Sequence, residues 1–208
     1  MIIIREYQDT DYKACESLTS DEWEFEKSFA PIQLAELSKY LYTMGSVAIT
    51  NFQKVIEVDG EVVGFIFGYN EKEPVKKHDL QRSTAYLWVL KTLLAVKKMS
   101  LKAKVVLLNN IRVHAKNRSK LVPPKKSEIM LFVVHPKHQG KGYGKELFSA
   151  FKDYCKGSDI DSVMIETNTL GASTFYEQLG CKFRGNFDSP LHAYTTENGQ
   201  ACIYEYHI

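Results

Sequence analysis

The sequence predicts a mixed α/β fold, with a largely antiparallel central sheet flanked by helices and carrying a helical, basic insert. Three observations point there. Short β-branched runs alternate with stretches of helical period between residues 128 and 187. The runs Val55–Val58 and Val62–Phe67 are joined by Asp59-Gly60, a strong signal for a tight hairpin. Lys182–Phe187 and Ala201–Tyr206 then follow one another with no helical stretch between them, which gives the sheet an antiparallel end.

Taken in order, Ile2–Glu6 reads as a strand, and Asp9 or Thr10 can cap a helix that runs through Leu18. The acidic stretch Asp21–Glu26 reads as the loop after it. Pro31 suits the first turn of a helix to about Met44, with Leu34, Leu37, Tyr40 and Leu41 on one face. The hairpin follows. Between residues 71 and 127 the strand pattern stops: residues 85–96 suggest one helix, and residues 105–113 a second whose β-branched start also fits a strand. Pro123-Pro124 closes this insert. Glu128–Val134 is the next strand, Tyr143 to about Lys156 a helix with Leu147, Phe148, Phe151 and Tyr154 facing inward, Val163–Ile165 a strand, and Ala172–Leu179 a helix.

With 208 residues and 44% apolar content the chain can bury one substantial core, so residues 1–208 are expected to form one domain. No run reaches the roughly 18 apolar residues of a membrane span. Met1–Glu6 has neither the basic lead nor the cleavage site of a signal peptide. Cys15, Cys155, Cys181 and Cys202 lack paired spacing, which fits thiols in a reducing, cytoplasmic setting. The net charge of +2 hides an asymmetry: residues 71–127 hold 15 Lys/Arg against 3 Asp/Glu, and the remainder 12 against 22. A basic insert is set in an acidic body. Beyond that charge nothing supports nucleic-acid binding.

The most informative segment is Gln139-Gly140-Lys141-Gly142-Tyr143-Gly144-Lys145, between the strand and the helix. Glycines let successive N–H groups converge on an anion, and the helix start adds unsatisfied donors and a positive dipole. A phosphorylated ligand is implied. A Walker loop does not fit, because Gly140 and Gly144 are four apart and Glu146 stands where a magnesium-binding hydroxyl belongs. The dinucleotide fingerprint does not fit either: the glycines fall as G-x-G-x-G, late in the chain.

The pattern that fits is Gln/Arg-x-x-Gly-x-Gly/Ala after a strand, with Gln139, Gly142 and Gly144 at its fixed positions. Together with the later segment Asn168 to Gly180, in which Phe175-Tyr176 precedes a helix-ending glycine, it closely resembles the GNAT superfamily of acetyl-CoA-dependent N-acetyltransferases. The resemblance covers residues 128–183 well, the flanks loosely, and residues 71–127 not at all.

That resemblance implies acetyl-CoA as co-substrate, with no metal, and direct attack of an amine on the thioester. It implies that the strand ending at Val134 parts from Val163–Thr167, leaving main-chain groups of Phe132, Val133 and Val134 for the pantetheine arm. The pyrophosphate would rest on the N–H groups of Gln139, Gly140, Lys141, Gly142, Tyr143, Gly144 and Lys145. Tyr176 would be the general acid and Glu128 the general base, with Glu57 and Glu166 as lesser candidates for the base. Asn168 would touch the cofactor, although its spacing to Tyr176 is one residue longer than usual, so Thr169 could take its place.

His135 and His138 lack the acidic or thiol neighbours of a metal site. Asp21–Glu26, with Trp23 and Phe25, could attract a cationic acceptor. The acceptor is expected to be a small-molecule or peptide amine, and the insert a cover over its cleft or a homodimer contact, with a membrane-surface helix as the lesser alternative. A non-catalytic acyl-CoA sensor is the rival reading.

Overall fold

A computed structural model describes residues 1–29, 32–75, 100–192 and 199–208. Its centre is a seven-stranded sheet in the order β1-β2-β3-β4-β5-β7-β6. The strands are β1 (Ile2–Glu6), β2 (Phe52–Val58), β3 (Glu61–Tyr69), β4 (Glu128–Val134), β5 (Ser162–Asn168), β6 (Lys182–Phe187) and β7 (Ala201–His207). Every neighbouring pair is antiparallel except β4 and β5. The Asp59-Gly60 hairpin forms as expected, with both residues at positive φ, the geometry that matches the twist of the flanking strands.

Six described helices cover the sheet: α1 (Tyr12–Trp23), α2 (Phe25–Ser28), α3 (Ile32–Ile49), α4 (Leu101–Arg118), α5 (Tyr143–Gly157) and α6 (Ser173–Gln178). Alternation along the strands sends side chains to two cores. Ile56, Val63, Ile66, Ile129, Val163 and Ile165 meet Leu147, Phe148 and Phe151 of α5 on one face. Val55, Phe65, Phe67, Leu131 and Val133 meet Cys15 and Leu18 of α1 and Val47 of α3 on the other. All four cysteines are buried, free thiols. Among the described residues, no helix is long and apolar enough to cross a membrane.

Two expectations change. The first helix begins after a 3-10 turn at Asp9–Asp11, where Arg5 holds Asp11 at 2.7 Å and fixes the entry, and it runs on to Trp23. The acidic stretch is therefore a helical corner, broken only at Glu24 with φ of 45°. The second insert segment is the helix expected of it and not the strand its β-branched start also fitted, begun by the Ser100 hydroxyl accepting from the Ala103 N–H at 3.2 Å. Pro31 and the first insert helix, at residues 85–96, fall outside the described residues.

Helix α5 is seated by a ring over a gap. Gly68 on β3 leaves the space that Phe151 fills, and a Cβ at Gly68 would lie 2.6 Å from the Phe151 Cζ. Phe151 is 1% exposed and has nowhere to retreat. Gly68→Ala is therefore expected to cost about 1–3 kcal/mol in chemical denaturation. Combining it with Phe151→Leu should recover part of that loss. A strictly additive double variant would contradict this packing.

Candidate functional site

The sheet opens between β4 and β5. Both strands are seven residues long, yet they pair only at Glu128↔Met164 and Ile129↔Ile165. On its other edge β4 stays paired with β3 up to Val134↔Gly64. The register there skips Met130, placing Leu131 opposite Phe67 and Ile129 opposite Gly68. An extra residue of this kind re-phases and bends a strand. The His135 N–H bonds the Val63 carbonyl at 2.9 Å, so by alternation Val133 and Leu131 turn their polar groups to β3. Phe132 and Val134 turn theirs into the gap. Met130 to Val134 thus offer about 13 Å of unpaired edge.

At the far end of that edge lies the glycine loop. Gly140 and Gly142 have φ of 76° and 89°, and a Cβ on either would meet nothing within 4 Å. Among the described residues, no acceptor takes the N–H groups of Gly140, Lys141, Gly142, Tyr143, Gly144 or Lys145, and no side chain caps α5. Six successive donors and a helix start are left without acceptors, with open space at Gly140 and Gly142 and the exposed Lys141 and Lys145 beside them. Gln139 departs from expectation. Its N–H goes to the Pro136 carbonyl at 3.3 Å, and its side-chain Nε2 goes to the Val134 carbonyl at 2.9 Å. Gln139 ties the loop to the strand, and the free donors begin one residue later.

Helix α6 stands beside the loop. The Phe175 and Phe132 rings meet edge to face at 5.8 Å, and Gly144 lies close beneath Phe175. Tyr176 is 5% exposed and belongs to the same core as Ile129 and Ile165, the last paired residues before the opening. Burial, then the nearby Cys181 and Glu22, push its phenol well above the ordinary value, so it holds its proton at neutral pH. The Cys181 thiol is likewise pushed up by burial, to about 12, and is not a nucleophile.

On the face opposite α5, the insert helix α4 lays two side chains on two carboxylates. Arg118 pairs with Glu128 and, through Nε at 2.7 Å, with Glu166. Glu166 also lies 3.2 Å from Nε2 of His192 and 3.7 Å from Nε2 of His114. Burial raises the Glu166 carboxyl, but the His192 hydrogen bond and the charges of His114 and Arg118 outweigh it and hold the group low. Glu57 lies elsewhere, bonded to Arg5 at 2.9 Å on the β1–β2 side of the sheet. Asn168 is committed to its own turn: its Oδ1 accepts from the Leu170 N–H at 2.8 Å, and its amide lies 3.4 Å from His192. Thr169 serves the same corner, accepting from the Gln200 N–H at 3.0 Å.

The acidic stretch does not form a cation box. Phe25 is fully buried beneath Trp23, Glu24 pairs with Lys27, and Glu26 pairs with Lys39 at 3.1 Å. His114, Arg118 and His192 escaped the sequence reading. His114 and Arg118 are four apart, the spacing that puts two side chains on one helix face. His192 sits in a segment with no periodic signal. Among the described residues, no group of three or more His, Cys, Asp or Glu is placed to hold a metal ion.

A model of the acetyltransferase (GNAT) family matches residues 12–181. The chain belongs to that family. Its fold is similar to a crystal structure from Pyrococcus horikoshii, at TM-score 0.61 and 15% identity over 100% of this chain and 99% of that one. It is also similar to a Salmonella typhimurium structure solved with its cofactor acetyl-CoA, at TM-score 0.53 and 13% identity over 99% and 93%. A third is the ribosomal-protein-S18-alanine N-acetyltransferase of Escherichia coli, at TM-score 0.50 and 13% identity over 100% and 94%. No curated protein sequence matches. Within this GNAT acetyltransferase, the opening between β4 and β5 and the donor loop are the candidate active site.

Arg118→Met would leave the Glu128 and Glu166 carboxylates without their shared cation, at an expected cost of about 3 kcal/mol at pH 7. Glu166 has a depressed folded value, so its contribution is present above its ordinary value of 4.5 and is lost as pH falls through the folded one. The difference between the two proteins should therefore shrink in denaturation at pH 4. A gap that is the same at both pH values would contradict the pairing.

Proposed function

We propose that this acetyltransferase moves an acetyl group from acetyl-CoA to a primary amine by direct attack. The observation that carries this reading is the free β4 edge running from the sheet opening to the run of unpaired N–H groups. A diphosphate needs several converging donors, and an amide-bearing arm can pair with an open strand edge as a further strand would. The residues fit that ligand: the glycines leave room for oxygens, and Phe132 and Val134 present main-chain groups along the arm's path. Val134 can offer only its N–H freely, because its carbonyl already serves Gln139. Bound there, acetyl-CoA supplies the activated thioester.

The chain's own residues position the thioester and handle protons. The donor loop fixes the diphosphate end, so the reactive end falls near the opening, by Ile129, Glu166 and Tyr176. Tyr176, protonated and buried, hydrogen-bonds the departing sulfur and passes it a proton. The phenol is refilled by the proton that the amine nitrogen loses, so no free phenolate is left behind. Glu128 is poorly suited to be the base, because Arg118 already donates to its Oε1. The amine acceptor is consistent with the carboxylates that line this face, where an ammonium is attracted. The insert helix α4 closes one side of the cleft, which fits a cover over the acceptor.

Calorimetric titration with acetyl-CoA should give saturable heat, and free thiol should appear when a suitable amine is added. Tyr176→Phe should lower kcat by roughly 10²-fold or more with acetyl-CoA affinity retained. Undiminished turnover in that variant would remove Tyr176 from the mechanism, and binding without turnover toward any amine would favour a sensor.

A further inference from the structure

Two imidazoles share one carboxylate at the point where the sheet opens. Glu166 is the first β5 residue beyond Ile165, the last position paired with β4. His114 reaches it from the insert helix α4, and His192 reaches it from the segment after β6. The two rings are stacked, 6.3 Å apart with 15° between their planes. Nδ1 of His114 lies 2.8 Å from the Ser189 hydroxyl, and the ring edge meets Phe187 of β6 at 5.4 Å.

The charged groups around His114 come from its own helix, from both parted strands and from the segment after β6. From its own helix Arg118 faces it, shared between Glu166 of β5 and Glu128 of β4. His192 and Ser189 face it from the segment after β6, and the charge of Glu166 is also felt by Tyr42 of α3. One cation against two carboxylates leaves a net negative charge while both imidazoles are neutral. An imidazolium on His114 would stand beside the His192 ring at stacking distance.

His192 Nε2, at 3.2 Å, already donates to Glu166, and its Nδ1 lies 3.4 Å from the Asn168 amide, so the ring with a nitrogen to spare for a substrate proton is His114. At 3.7 Å its Nε2 is outside hydrogen-bond reach of Glu166. In the tautomer that donates Nδ1–H to Ser189, Nε2 carries a lone pair facing a carboxylate oxygen. Protonation turns that repulsion into a hydrogen-bonded ion pair. Burial holds His114 below the ordinary histidine value; the charge of Glu166 opposes this, while His192 and Arg118 add to it. The ring is therefore neutral and ready at pH 7. About a fifth of each of the His114 and Glu166 side chains remains exposed, so a substrate nitrogen or one water can reach them.

We propose that His114 is the acceptor-side base of the transfer, held at the open end of the β4–β5 gap by Ser189 and backed by Glu166, with His192 positioning that carboxylate. The proposal rests on the amine-transfer reading above. One proton leaves the bound ammonium for His114 Nε2, and the freed lone pair forms the C–N bond as the C–S bond breaks. The nitrogen's second proton reaches sulfur through Tyr176. His114 then releases its proton to solvent, so one ammonium and one thioester give one amide, one thiol and one proton.

The test is the pH dependence of kcat alongside an NMR titration of the histidine ring protons in the same acetyl-CoA-loaded protein. Expected is a loss of kcat at acid pH whose midpoint matches the His114 midpoint, with both moving to lower pH in Glu166→Gln. His114→Gln should lower kcat at pH 7 by roughly 10²-fold and lose the acid limb, with acetyl-CoA affinity within about threefold of wild type. An acid limb that survives in His114→Gln, or midpoints more than about one pH unit apart in the unsubstituted protein, would overturn the proposal while leaving amine transfer intact. Wild-type protein that binds acetyl-CoA but releases no thiol with any amine would overturn the amine reading and this proposal together.

Discussion

One strand paired along a single edge governs the rest of the molecule. β4 keeps its antiparallel ladder with β3 through Val134 but touches β5 at two positions only. A row of backbone donors and acceptors left open inside a sheet is costly unless something satisfies it. The skipped register at Met130 turns Phe132 and Val134 toward the opening, so the unpaired groups are the ones a ligand can reach. The donor loop continues the same logic past the strand end, where six N–H groups lack acceptors among the described residues.

Holding such an opening apart requires rigid walls, and packing supplies them. Helix α5, which begins in the loop, is locked by Leu147, Phe148 and Phe151 against β2, β3 and β5 residues. Phe132 and Phe175 lean on one another across the gap near Gly144. On the opposite face, the insert helix α4 ties β4 to β5 through Arg118, whose guanidinium reaches a carboxylate on each parted strand. The bridge crosses where main-chain hydrogen bonds stop. One basic residue of the insert and two carboxylates of the body thus meet where the sheet opens.

Much of this was legible from residue order alone. The bounds of β1, β4 and β6 matched those read from the sequence, and the glycine loop announced itself through spacing, because a chain reversal at positive φ restricts residue choice. Long-range pairing was less visible. No local pattern tells that Arg118 finds Glu128 and Glu166, or that His192 returns to β5, since these contacts depend on how distant segments stack. Gln139 was placed in the right loop, but its N–H and amide serve Pro136 and Val134, a choice set by the loop's geometry and not by its composition. Trp23 and Phe25 looked like an aromatic patch among acids, but Phe25 proved to be core with the half-buried Trp23 stacked against it, because the helix ran further than expected.

Whether the parted strand edge and the nest of free main-chain donors form one continuous ligand track is decided by amide hydrogen exchange with and without acetyl-CoA. The amides of Phe132, Val134 and Gly140–Lys145 should exchange fast in the free protein while those of Leu131 and Val133 are protected. Saturating ligand should slow the fast set together. Amides of that set already protected in the free protein, or unchanged when ligand is bound, would contradict the account.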